Sequence, residues 1–233
     1  MHITPDQIVL WRWGFVHLNA TILCTWIVMA LLAVMSWLVT RNIDEGDGPR
    51  SRWQNALEVI VEVIRGQIRE ICPEGGDQYL PFVGTLFLFI AVSNLLDIVP
   101  AWHAPAGSLS TTAALAMSVG VAVPVFGVMS QGFVRYFRHY LSPTFVMLPL
   151  HLLSETSRNL ALALRLFGNV MSGSLIAGIL LSVIPLFFPV LIQALGLLTG
   201  MIQAYIFSIL AMVYIAAAVQ RGPGDGQGDS LHG

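Results

Sequence analysis

The sequence contains no lysine; all 11 of its basic residues are arginine, which reflects codon composition rather than chemistry. Charge of either sign is scarce, at 10% of 233 residues, where soluble domains carry about 25%. Cysteine is nearly missing. Cys24 lies inside an apolar run and Cys72 ends a mixed segment, so neither a disulfide framework nor a metal site is suggested. The six histidines are scattered without ligand spacing, and no cofactor is expected. A net charge of −2 argues against a nucleic-acid partner. There is no phosphate-binding glycine loop, and no internal repeat of the kind that independent secondary transporters often carry. The first apolar run is too long for a signal-peptide core and has no small-residue cleavage pattern, so it is expected to be a retained membrane helix.

What the chain has is hydrocarbon: 56% of its residues are hydrophobic and its mean hydropathy is +0.75. This predicts an all-α, polytopic membrane protein with about five membrane helices, built as one membrane domain over residues 1–221. A first membrane helix is expected over residues 13–39, within a segment 1–40, with Trp11, Trp13 and Trp37 at its interfaces. Residues 51–72 differ. Trp53, Leu57, Ile60, Ile64, Ile68 and Ile71 recur at steps of three and four, while Asn55, Glu58, Glu62, Arg65 and Arg69 fill the other face. That pattern predicts an amphipathic helix lying at the membrane interface.

Two further crossings are expected within 79–131, followed by a basic loop with Arg135, Arg138 and His139. A long apolar hairpin then covers 147–220, bending at 185–189, and a Gly/Asp-rich tail over 222–233 is expected to be disordered. Its first arm, about 38 residues, is too long for one upright crossing at about 1.5 Å per residue. With the N-terminus outside and five crossings, eight arginines outside the membrane fall on the inner side and only Arg12 on the outer.

Arg165 stands inside this first arm, with apolar sequence on both sides. A guanidinium stays charged at any useful pH, and holding it at membrane depth costs about 3 to more than 10 kcal/mol. Ionisable groups in such places usually mark ion or substrate paths; the alternative is an arginine near a helix end that snorkels to the headgroups. His151, Glu155, Arg158, Arg165, Asn169 and Ser172 share one helical face at spacings of three, four or seven, opposite Leu, Ala, Val and Ile. On the return arm Gln193, Gly196, Gly200, Gln203, Phe207 and Tyr214 form a matching stripe. Alternatives stay open here. Glu155 and Arg158 are also spaced for a neutralising pair with no part in transport, Gln193 for an inter-helix hydrogen bond, and Asp97 for plain solvation near an interface.

The segment Leu162-Ala-Leu-Arg-Leu-Phe-Gly-Asn169 resembles the signature around the essential arginine of subunit a of F-type ATP synthases. Ile202-Gln-Ala-Tyr-Ile-Phe-Ser-Ile-Leu-Ala-Met-Val-Tyr214 is similar to that family's last-helix motif, with looser likeness at Asn94-Leu-Leu-Asp-Ile-Val-Pro100 and Trp53-Gln-Asn-Ala-Leu-Glu58. The resemblance implies a non-catalytic, ion-translocating subunit of a bacterial inner-membrane complex, with its C-terminus cytoplasmic. It also implies a c-ring and peripheral-stalk subunit b as partners besides the lipid bilayer, a hairpin tilted along the ring, and ATP chemistry on other subunits. Arg165 would favour the ionised c-ring carboxylate and separate an inward from an outward path, with Asn169 and Gln203 beside it.

The pattern departs from the family at three positions. Where members commonly carry an acid before the arginine there is His151, with Glu155 one turn later; after Asn169, where an acid or histidine often lies, there is Ser174; before Gln203 there is Gly196. The usual protonatable pair of one half-channel is therefore missing, and the remaining candidates for the path are His151, Glu155 and Asp97. These losses are similar to the sodium-associated bacterial branch, which leaves sodium beside hydrogen ion transport as the reading.

Overall fold

The computed structural model describes residues 9–13, 16–41, 52–73, 75–98, 105–132, 147–183 and 188–220. The fold is all-α apart from one short strand pair. The helices are α1 (Ala20–Arg41), α2 (Arg52–Ile71), α3 (Leu80–Leu96), α4 (Leu109–Gln131), α5 (Met147–Val183) and α6 (Phe188–Gln220). Among the described residues four segments are long and apolar enough to cross a bilayer: Gly76–Leu96, Leu109–Gln131, Leu153–Leu180 and Val190–Val219. In α1 the apolar stretch Thr21–Trp37 is shorter, and its Leu23, Trp26 and Met29 are exposed. The linker at 42–50, the basic loop and the C-terminal tail lie outside the described residues.

The first membrane helix, expected from residue 13, begins instead at Ala20. Before it, β1 (Val9–Trp13) and β2 (Val16–Asn19) pair antiparallel, with Arg12 opposite His17 and Trp13 opposite Val16. The cause is visible in the chain: Trp11-Arg-Trp13 and Val16-His-Leu-Asn19 alternate apolar and polar at period two. Such a pattern cannot keep one helical face apolar.

Helix α2 folds as its periodicity requires. Ile64 and Ile68 are buried, and Ile60 and Ile71 pack against the same core. The chain then turns tightly through Gly75, whose φ of 76° suits glycine, and Gly76, where an added Cβ would meet Ile68 Cγ2 at 2.9 Å. Arg65 Nε and Arg69 Nη2 clasp Asp77 at 3.2 and 3.1 Å across this turn. The Tyr205 hydroxyl donates to Gln67 Oε1 at 2.8 Å and ties α2 to α6.

Helix α6 is the central element, packing against α3, α4 and α5. Ala204, Phe207, Ala211, Met212 and Ile215 are all at 0% exposure. Lipid is as apolar as these side chains, so close packing and inter-helix hydrogen bonds hold the bundle rather than hydrophobic transfer. Gly120 of α4 makes room for Asn159 of α5, and Tyr79 meets Phe126 edge to face at 5.0 Å. The apolar window of α6 is 50% buried, that of α5 only 18%. The first arm thus keeps a broad open face.

Candidate functional site

Arg165 stands on that open face. It is exposed, while Leu162 at 1%, Ala163 at 4% and Leu166 at 0% fix the helix beneath it. Leu162 and Leu166 are buried beside the polar stripe, where α5 packs against α4 and α6. The more exposed side carries Leu153, Leu160, Leu164 and Ile179. Among the described residues no carboxylate lies within ion-pair distance of Arg165, and neither Asn169 nor Gln203 is hydrogen-bonded to it. Its charge is presented outward.

One helical turn further along α5, about 6 Å, the polar groups enter a cavity of about 200 Å³ between α3, α5 and α6. Asn169 and Ser174 line it from the first arm, Gln193 and Gly196 from the return arm, Asn94 and Asp97 from α3. Asp97 caps α3, its N–H donating to the Asn94 carbonyl at 3.3 Å. Ser174 Oγ donates to the carbonyl of Met171 at 2.9 Å. An added Cβ at Gly173 or Gly196 would meet nothing within 4 Å, so the glycines leave open volume there. The lining mixes amide and hydroxyl groups with Ile98, Val170, Ile192 and Leu197, and Asp97 is its one carboxylate.

Gln203 is buried at 6%, and its Nε2 has no hydrogen-bond partner among the described residues. Leaving such a donor unmet costs about 1–3 kcal/mol, a cost compatible with a group kept for a passing ion or water. Glu155 and Arg158 are half-buried further back on α5 and do not reach the cavity. His151 lies in the first turns of α5, and its side chain is outside the described residues. The predicted residues therefore divide in four. Asp97, Asn169 and Ser174 meet in the cavity, Arg165 lies one turn before it on α5, Gln203 is buried on α6 outside its lining, and His151, Glu155 and Arg158 lie earlier on α5. Asn94 had no assigned role in the sequence, although a buried amide in an apolar helix is itself a signal of a partner.

The model of the family described as "ATP synthase A chain" matches residues 22–216, spanning every element from α1 to α6. The chain belongs to the ATP synthase A chain family. ATP synthase subunit a 1 of Crocosphaera subtropica is 58% identical over 94% of this chain and 95% of its own length. ATP synthase subunit a 2 of Acaryochloris marina is 58% identical over 99% and 98%, and subunit a 1 of Chlorobaculum parvum 56% identical over 94% and 97%. Family membership and the four apolar spans together make this a multi-pass membrane protein.

Proposed function

We propose that this chain is the stator subunit a of an F-type ATP synthase in a bacterial inner membrane. It forms two ion half-channels against a c-ring and couples ion flow to rotation, with peripheral-stalk subunit b as its further partner. The observation that carries the reading is an exposed arginine on a membrane-spanning arm, one turn from a polar cavity. A c-ring carboxylate brought to Arg165 loses its ion, because the fixed positive charge favours the ionised form. The cavity with Asp97, Asn169 and Ser174 serves one half-channel; Glu155 and His151 serve the other, and Gln203 lines the passage between them. The N-terminus lies outside and the C-terminus in the cytoplasm, following the arginine bias. Purification in mild detergent tests this. A c-ring should accompany the chain, and the reconstituted complex should pump ions on adding ATP; transport by the chain alone would contradict it.

A second reading concerns the ion. The cavity offers amide and hydroxyl oxygens and one carboxylate where a relay of titratable groups is common in the family. Hard cations prefer oxygen ligands, so sodium fits this lining, although the c-ring's own site largely decides the ion. ATP-driven uptake of radioactive sodium into vesicles should persist or rise with a protonophore. Abolition by the protonophore would make the transport secondary to a proton gradient and end the sodium reading.

A further inference from the structure

The hairpin is hollow at one end and fastened at the other. Between Val183 and Phe188 and the level of Arg165 its arms line the cavity, with Ser174 on one and Gly196 on the other. At the open end the Arg158 guanidinium carbon of α5 lies 4.6 Å from the centroid of the Tyr214 ring of α6. The Arg158 Nε is buried without a hydrogen-bond partner among the described residues, so the ring face is a principal contact of that charge. The same end of α6 is held to α4, where Gln131 Nε2 donates to the carbonyls of Ala218 and Val219, each at 2.9 Å.

We propose that Arg158 and Tyr214 are positioning residues, a cation–π pin that fixes the register of the two arms and with it the height of Arg165. The arms run antiparallel, so a pair at 158 and 214 sets Arg165 level with Phe207 and Asn169 level with Gln203. Phe207 is fully buried in the bundle core. A rotor pushing on Arg165 delivers torque to an arm that is mostly open to its surroundings, and a contact about 10 Å away along the same helix resists it. A cation stacked on an aromatic face gains most where water is excluded, which suits a pair inside the membrane. The inference rests on Arg165 being the coupling charge.

The test uses the assembled complex, reading ions pumped per ATP hydrolysed. Tyr214→Phe keeps the ring and Arg158→Lys keeps a cation, so both should stay within about twofold of the unaltered protein. Tyr214→Leu and Arg158→Gln should each lower the ratio about fivefold with the c-ring still bound, and the double variant should be no worse than either alone. Should Tyr214→Leu prevent assembly, Tyr214→Trp is read instead and should retain coupling. The proposal is overturned if Tyr214→Phe fails as Tyr214→Leu does, if Tyr214→Trp uncouples, or if Arg158→Gln pumps normally. Coupled pumping by Arg165→Ala would instead remove the underlying reading; loss at 165 with none at 158 or 214 removes the pin alone.

Discussion

Asn94 Nδ2 donates a 2.9 Å hydrogen bond to the carbonyl of Gly200, and a Cβ added at Gly200 would meet the Asn94 amide carbon at the same 2.9 Å. The bond joins α3 to α6 at the floor of the cavity, and the glycine is what lets the two backbones approach. Gly200→Ala should force them apart and cost about 1–3 kcal/mol. Thermal dissociation of the purified complex measures this, and an unchanged midpoint would show that Asn94 swings away freely.

Gly196 has open space where a side chain would project, and Ser174 lies across the same cavity. Gly196→His with Ser174→Glu should therefore fit and install a titratable pair. Imidazole changes charge near neutral pH, so the pH profile of ATP-driven pumping by the double variant should shift between about pH 6 and 8 relative to that of the unaltered complex. Superimposable pH profiles would mean that ions bypass this cavity.

Water access separates a conducting cavity from a packing seam. Cysteines replacing Asn169 and Ser174 should react quickly with small aqueous thiol reagents, and those replacing Leu162 and Leu166, at 1% and 0% exposure, slowly. Cysteines at Glu155 and Gln203 should react too if both half-channels reach those positions. Equal protection at all six sites would make the polar stripe dry.

Most of the fold was legible because membrane solvent leaves few options: an apolar run must be helical to satisfy its backbone. Arg165 stood out as a permanent charge deep in such a run, with apolar residues on both sides. The N-terminal strands were hidden at the start of the first apolar run, where period-two alternation lasts only a few residues. Asn94 with Gly200 and Asn159 with Gly120 depend on helices that meet only in three dimensions. The cavity was illegible for the same reason, since three helices and two glycines at 173 and 196 create it.

Arg165 carries the central claim, and its removal is the most direct measurement. Reconstituted complexes with Arg165→Ala should assemble with the c-ring yet show no ATP-driven ion uptake, because the lost function is electrostatic. Arg165→Lys should fail as well, since a compact ammonium lacks the planar fork and the reach of guanidinium. Near-normal coupled uptake by Arg165→Ala, at equal complex content, would contradict the account.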